Sequence, residues 1–442
     1  MMFEPEIETL DWGLQRQHDD AAYRDQLAYL LANSRFYRDK LSAAGFDGPA
    51  EIGGLDDITS LPFTEKDELR ATRSEADPIG THLAAPMESV ARIYSTSGTT
   101  GVPSYIPLTA ADLDRWARIS ARTYGASGIA APERIVSTYN AGPFVAGAAL
   151  DGFNRLGLCQ IPVGMGNTER LMAAVQRLAP QALACTPSYA LHLAEWASER
   201  GIDLPASTVR RILVAGEPGG GEPAMRHLLE EGWGALVTEA MGIGDIAASL
   251  WGECEAQAGM HFSGRGFIHV ELIDPATGDP VPMEDGAQGE LVYTHLVHEA
   301  APLLRFRSRD HVEVHTSPCR CGRTAPRVRC IGRTDDMLIV RGVNLFPTAV
   351  REVVNEFAPS VSGVISIRPG HRSVNQQPPL KVLVELAEGT EGGDALAQRI
   401  RQRIRDKLVV TTDIHPVPWG SLPRSEYKSK LIDYSEAADR QE

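Results

Sequence analysis

A chain of 442 residues exceeds what one hydrophobic core normally supports, so two or more domains are expected. Its hydrophobic and charged fractions are ordinary for a globular protein, and a formal net charge of −15 argues against broad nucleic-acid binding or attraction to anionic membranes. The acidic start MMFEPEIETLDWGL lacks the basic and apolar regions of a signal peptide, no apolar run reaches a membrane span, and six cysteines do not make a disulfide scaffold, so a reducing cytoplasm is the expected compartment.

Residues from Asp19 to Ala44 carry Tyr23, Leu27, Leu30 and Leu31 at helical spacing and predict a helix. After Leu61-Pro62-Phe63, Thr64 is expected to cap a helix carrying Glu65 and Lys66. The run YSTSGTTGVPS, Tyr94 to Ser104, is the strongest local signal. Gly98 and Gly101 let the backbone approach a ligand closely. The N–H groups and hydroxyls of Ser95, Thr96, Ser97, Thr99 and Thr100 offer donors to anionic oxygens. A Walker loop would end in Gly-Lys-Ser/Thr, whereas this run ends Gly101-Val102-Pro103. It therefore reads as a polyphosphate loop of another kind, with a polar surface turn as the plain alternative.

Downstream, Ile135–Thr138, Ala182–Cys185 and Arg211–Ala215 read as buried strands interleaved with helices over Glu169–Leu178, Ser188–Arg200 and Glu222–Gly232, an α/β alternation. Strands at Phe267–Asp274 and Gly289–Tyr293, joined by turns, predict an antiparallel portion. From Thr334 the texture changes to a compact α+β unit of roughly a hundred residues. Its strands are Met337–Val340, Val361–Ile367 and Leu380–Leu386, and its helices Pro347–Glu356 and Gly393–Leu408.

Five further segments accompany the hydroxyl-rich loop: Ala215-Gly216-Glu217-Pro218, EAMGIGDI from Glu239, RFRSRD ending at Asp310, GRTDDMLIVRGVNLFP from Gly332, and GSLPRSEYKSK from Gly420. In this order the chain resembles the adenylate-forming superfamily, and more closely its phenylacetate–CoA ligase branch; SRFYRDKL, LPFTEKDELR and CTPSYALHLAE extend the resemblance over nearly the whole length. The resemblance implies an α/β fold with a large N-terminal adenylate-forming domain of mixed sheets, residues 1–334, and a small α+β C-terminal lid, residues 335–442, turning about Asp335. It implies a two-step reaction. A carboxylate attacks the α-phosphorus of ATP, releasing pyrophosphate, and the thiol of coenzyme A then displaces AMP. Delivery to a carrier-protein thiol or an amine, and a protein that binds adenylate without turnover, are the alternatives. A homodimer is left open as the assembly.

By the same resemblance, Ser95 to Gly101 hold the outgoing pyrophosphate, and Lys428 bridges the carboxylate and the α-phosphate. Asp310 accepts from both ribose hydroxyls, for which a carboxylate has the two acceptor oxygens; a salt bridge to Arg307 or Arg309 is the alternative. Arg333 contacts the nucleotide, Gly216, Glu217, Pro218, Met241 and Gly242 line it, and Gly342 lets the pantetheine arm pass. The branch's Tyr-Gly-Leu-Ser-Glu is here Met241-Gly242-Ile243-Gly244-Asp245, so Asp245 is the expected Mg²⁺ ligand, one methylene shorter than usual. Ser104 stands where the superfamily often has lysine, and Tyr427 where glycine is usual near Lys428. The acid is expected between Tyr139–Gly147, Ala215–Gly216 and Met241–Gly244. Tyr139, Phe144, Met241 and Ile243 make a mainly apolar lining that suits an aromatic monocarboxylate such as phenylacetate or benzoate.

Cys254, His261, Cys319 and Cys321 pair two short ligand segments, Cys-x6-His and Cys-x-Cys-Gly, in the manner of a structural zinc. Some members of the resembled branch carry such a site. Unrelated buried cysteines are the alternative.

Overall fold

The N-terminal helical stretch is two helices rather than one. Trp12–Asn33 stops at Ser34, whose extended backbone opens a second helix, Arg35–Ala43. Ser34 Oγ accepts from the Tyr37 N–H at 3.5 Å, so the residue that ends one helix caps the next. Tyr23, Leu27, Leu30, Tyr37 and Leu41 meet Ile52, Ile58 and Leu304 in one apolar cluster. Further on, the helix Lys66–Ala71 is capped by Glu65, which exchanges hydrogen bonds with Glu68 in a capping box. Thr64, the expected cap, instead donates to the Leu304 carbonyl at 2.6 Å.

The computed structural model describes residues 2–96, 104–139, 145–390, 393–424 and 429–437. It divides into two units, residues 1–184 with 238–329, and residues 185–237 with 330–442.

In the first unit, Val90–Thr96 and Ser104–Thr109 form an antiparallel pair in which Thr96 faces Ser104. Arg134–Ser137 runs parallel to both Cys159–Pro162 and Ala182–Cys185, as the α/β alternation requires. The rest is antiparallel: Leu236–Ile243 turns into Ala247–Glu253, which pairs with Met260–Phe262, while Ile268–Ile273, Gln288–His295 and Phe306–His315 form a meander. Along Phe306–His315 burial alternates strictly, so Phe306, Ser308, Asp310, Val312 and Val314 face inward. Trp251 is fully buried, with its indole N–H on the Tyr293 hydroxyl at 2.8 Å.

In the second unit, strand Arg211–Ala215 is accompanied by helices Pro187–Glu199 and Pro223–Trp233, which pack together through Trp233 and its 2.9 Å bond to the Ala190 carbonyl. Val361–Arg368, Leu380–Leu386 and Thr412–Val417 make a three-stranded sheet. Helices Pro347–Asn355 and Gly393–Leu408 share its core: Val350 and Val354 from one, Leu396, Ile400 and Ile404 from the other, with Ile365, Val382 and Ile414 of the sheet. The i, i+4, i+8 spacing of Leu396, Ile400 and Ile404 is the stripe from which that helix is read in sequence. The whole is an α/β architecture with mixed sheet and an α+β C-terminal part. Among the described residues no helix is long and apolar enough to cross a membrane.

Candidate active site

The hydroxyl-rich loop departs from the end of strand Val90–Thr96. Ser97, Gly98, Thr99, Thr100 and Gly101 lie outside the described residues, as do Phe144 and Lys428. Ser95 and Thr96 are described, and Thr96 Oγ1 is buried with no hydrogen-bond partner among the described residues. A Cβ on Gly244 would come within 3.1 Å of Thr96 Cγ2, so glycine keeps the space beside this orphaned hydroxyl open. Gly244 opens the tip of the hairpin Leu236–Ile243/Ala247–Glu253. A Cβ on Gly242, in that hairpin, would fall 1.9 Å from the Ala248 carbonyl oxygen, so the two strands close only around glycine.

Asp245 occupies the hairpin tip, with its side chain 11% exposed, and Lys66 Nζ donates to its Oδ2 at 2.6 Å. Lys66 is the first residue of helix Lys66–Ala71, and the capping box at Glu65 and Glu68 fixes where that helix begins. Just beyond the same helix, Arg73 donates to Ser104 Oγ at 3.2 Å and to the Ile79 carbonyl at 3.3 Å. Two cations thus stand around the stretch where the chain has Ser104 in place of a lysine. His82 is buried nearby; burial, with the Arg73 charge, pushes it down to about 4, so it adds no charge at neutral pH. Behind the tip, His295 Nε2 bonds the Ile246 carbonyl at 3.0 Å while its Nδ1 accepts from the Leu303 N–H at 2.9 Å. Burial pushes His295 down to about 3, and these partners select the neutral Nε2–H tautomer that props the turn carrying Asp245.

Asp310 is buried on the inward face of its strand. The neighbouring arginines point the other way. Arg307 pairs with Glu290 at 2.7 Å and Arg309 with Glu65 at 2.5 Å.

Of the expected acid-binding residues in this unit, Tyr139 and Ile243 are buried and Met241 is half-buried. Tyr139 stacks on Phe153 at 6.4 Å, and Phe153 also packs against Tyr124, whose hydroxyl receives a bond from Ser249 Oγ at 3.1 Å. A cavity of about 270 Å³ in the same unit, lined by Trp12, Asp19, Leu55, Phe262, His269 and Pro282, contains none of the expected site residues.

In the second unit, Ala215 ends its strand and Gly216 follows with φ +97°, a left-handed turn that places Glu217 beside the first turn of helix Pro187–Glu199. Glu217 Oε1 accepts from the Ser188 N–H at 2.9 Å, and its Oε2 from the N–H (2.6 Å) and hydroxyl (2.8 Å) of Ser429. The Pro218 carbonyl accepts from Arg351 at 2.6 Å. Arg333 and Asp335 form a two-bond ion pair at 2.9 and 2.8 Å with side chains 41% and 51% exposed, in the turn after strand Arg327–Arg333. Gly342 is in a two-residue hairpin turn between Leu338–Val340 and Val343–Leu345. Arg341 and Gly342 both have positive φ, 49° and 80°, the turn pattern that favours glycine at its second position. Open space surrounds the position of a Cβ at 342.

The four expected metal ligands are brought together. The donor atoms of Cys254, His261, Cys319 and Cys321 all lie within 4.8 Å of one another. Cys254 Sγ is 3.6 Å from Cys319 Sγ, and Cys321 Sγ is 3.3 Å from His261 Nε2. Zn–S bonds of about 2.3 Å and Zn–N bonds of about 2.1 Å give tetrahedral edges of about 3.8 Å between sulfurs and about 3.6 Å between sulfur and nitrogen, so the donor set fits that ion. The cluster is held from outside. Arg320 donates to the Glu255 carbonyl, and Arg327 donates to the carbonyls of Ala258 and Ser317.

In the sequence Lys66 reads only as a residue of the helix after Thr64, with no partner or role; the available signal for one was a lysine next to a capping glutamate. Arg73, Ser429 and Arg424 were likewise unassigned, because their partners lie far away in the chain.

The chain matches the family described as AMP-binding enzyme over residues 49–295 and the AMP-binding enzyme C-terminal domain over residues 342–434. It is 36% identical to a phenylacetate-coenzyme A ligase of Thermus thermophilus, over 96% of this chain and 97% of that protein. To a phenylacetate-coenzyme A ligase of Escherichia coli it is 33% identical, over 91% of each. A 2-hydroxyisobutyryl-CoA ligase solved in its postadenylation state superposes with a TM-score of 0.90 at 26% identity, covering 98% of this chain and 92% of that one. With these matches the chain belongs to the AMP-binding, adenylate-forming enzymes, as an AMP-forming ligase that joins a carboxylic acid to coenzyme A.

Proposed function

We propose that the acid is a flat aromatic monocarboxylate of the phenylacetate type. The observation that carries this is Tyr139: a buried ring stacked on Phe153, in the same unit as Met241 and buried Ile243. Two curated relatives at 33–36% identity are named for phenylacetate, which supports the same reading. These stretches carry no cation to pair with a second carboxylate.

In the reaction, a carboxylate oxygen forms a bond to the α-phosphorus of ATP as the bond to pyrophosphate breaks. The thiol sulfur of coenzyme A then bonds the acyl carbon, AMP leaves, and the thiol proton is lost. Both steps move negative charge onto phosphate oxygens, so the protein acts chiefly by positioning and electrostatics. Ser95, Thr96 and the residues to Gly101 hold pyrophosphate, and Lys66 and Arg73 lend positive charge to that end. Asp310 holds the ribose hydroxyls, Arg333 the nucleotide, and Ala215, Gly216 and Pro218 with Met241 to Gly244 the adenine and acid. Lys428 serves the first step alone. Residues 335–442 act as a lid turning at Asp335, and Gly342 borders the thiol's path. Asp245 would hold Mg²⁺, which when bound neutralises phosphate charge. Cys254, His261, Cys319 and Cys321 would hold a structural Zn²⁺, a closed ligand set with no position for substrate.

The test is pyrophosphate and acyl-CoA formation from ATP, coenzyme A and single acids. Phenylacetate or benzoate should exceed 2-hydroxyisobutyrate and succinate in kcat/KM by at least tenfold. A preference for the aliphatic or dicarboxylic acid overturns the assignment.

A further inference from the structure

The segment that carries Lys428 is flanked by two anchored residues, Arg424 and Ser429. Arg424 donates through Nε to Glu195 Oε2 at 2.9 Å and through its terminal nitrogen to Glu195 Oε1 at 3.3 Å. The same nitrogen reaches Glu385 Oε1 at 2.6 Å, and the guanidinium lies 4.8 Å over the Trp419 ring. Glu385 is fully buried and its other oxygen accepts from the Leu422 N–H at 2.9 Å, so it is a fixed partner. On the other flank, Ser429 gives both its donors to Glu217, the residue immediately after Lys428 being tied by backbone and side chain at once.

Both anchors reach one helix. Glu195 is in helix Pro187–Glu199, and Glu217 is fastened to that helix at the Ser188 N–H. Residues 188 and 195 are seven apart, two helical turns, which places them on the same side about 10 Å from each other. Both carboxylate oxygens of Glu217 are used in this way, one on the helix and one on Ser429. Its carboxylate is therefore a linker between the helix end and Ser429.

We infer that Glu195 and Glu217 form a two-point clamp that positions the Lys428 segment for acyl-adenylate formation. They are positioning residues, acting through Arg424 and Ser429. The inference rests on the reading that Lys428 serves that step alone. Partly buried charge-assisted hydrogen bonds of this kind hold long, otherwise mobile side chains in register, and losing one lowers the population of the competent arrangement about tenfold or more.

The experiment separates the half-reactions: pyrophosphate formation from ATP and acid, and thioester formation from preformed acyl-adenylate and coenzyme A. Glu195→Gln and Glu217→Ala should each lower kcat for pyrophosphate formation about tenfold, with the KM for ATP within threefold of wild type and thioester formation unchanged. Glu217→Gln keeps one accepting oxygen and should recover part of the loss. Ser429→Ala removes one donor without uncapping the helix; it should lose about fivefold in the same step, and it carries the test if Glu217→Ala does not fold. Equal losses in both half-reactions, a raised KM for ATP at unchanged kcat, or no change overturns the clamp. Lys428→Ala, assayed alongside, distinguishes the two levels. If it abolishes pyrophosphate formation while the clamp variants are fully active, only the clamp falls; if it is active, the assignment of Lys428 falls and the clamp with it.

Discussion

Replacing Cys321 by serine tests the metal reading directly. Cys321 Sγ is 3.3 Å from His261 Nε2, and the Cys254–Cys319 sulfur pair is 3.6 Å apart, both close to the edges of a zinc tetrahedron. The ion would clip the loop between strands Phe306–His315 and Arg327–Arg333 to the segment between Ala247–Glu253 and Met260–Phe262. That loop has other attachments, such as Arg323 to Glu8 at 2.5 Å and Thr324 to Arg265 at 2.7 Å, so its loss of the ion is a loss of stability and not of folding. By linkage, zinc at a thousand times its dissociation constant stabilises the native state by about 4 kcal/mol. The ion's effect on rate should be small. Cys254 follows the end of Ala247–Glu253 opposite the Asp245 tip, and seven strand residues at about 3.3 Å each put the two roughly 20 Å apart. The expected result by elemental analysis is about one zinc per wild-type chain and well under half in Cys321→Ser. The melting temperature should fall by several degrees in the variant and in chelator-treated wild type, and pyrophosphate formation per folded molecule should be kept within about twofold. Zinc-free wild-type protein whose melting temperature ignores added zinc would refute the site.

Other substitutions probe the remaining assignments. Asp310→Ala should raise the KM for ATP about tenfold or more, the worth of hydrogen bonds to a charged acceptor, and leave the KM for the acid alone, as steady-state kinetics with each substrate varied will read. Lys66→Ala should lower kcat for pyrophosphate formation about a hundredfold by removing a cation directed at developing charge; an unchanged rate would reduce Lys66 to a structural partner of Asp245. Asp335→Pro fixes φ near −65° and should leave acyl-adenylate formation intact while thioester production collapses, seen by quenching single turnovers with and without coenzyme A. Asp19, buried with Gln15 on its Oδ1 at 2.8 Å, is pushed up to about 6 by burial, so the folded state binds its proton more tightly than the unfolded chain. Its stabilising contribution is therefore present below about pH 3.8 and is lost as pH rises through about 6. Asp19→Asn should consequently stabilise the protein at pH 7.5 by up to about 3 kcal/mol and have little effect near pH 4, which urea unfolding at the two pH values will measure.

How far the fold could be read in advance depended on how local its causes are. Ala182–Cys185, Arg211–Ala215, Leu380–Leu386 and Gly393–Leu408 occupy the residues expected of them, because each is an apolar run or stripe bounded by Gly, Pro or a polar turn. The break at Ser34 was hidden because apolar residues at helical spacing continue on both sides of it. Glu65 was passed over as a cap because threonine outranks glutamate in intrinsic preference; the reciprocal bond from Glu68 reverses that order.

The site divides along the same line. The cluster of Cys254, His261, Cys319 and Cys321 was legible because few residue types can bind zinc, and any two short Cys/His segments in one chain are candidates for each other. The ion pairs were not. Lys66 meets Asp245 across 179 residues of sequence and Arg424 meets Glu195 across 229, and neither partner has a periodicity that a reading of the chain could follow. In a chain with 43 basic and 58 acidic side chains, the number of possible pairs is far too large for composition to select among them. What selects them is burial: Asp245 at a hairpin tip and Glu385 inside a sheet are carboxylates removed from water, and a carboxylate so placed must be met by a cation or donor at short range. The clamp on either side of Lys428 thus follows from where the fold removes carboxylates from water, and becomes visible only once the helix Pro187–Glu199 has a face to present.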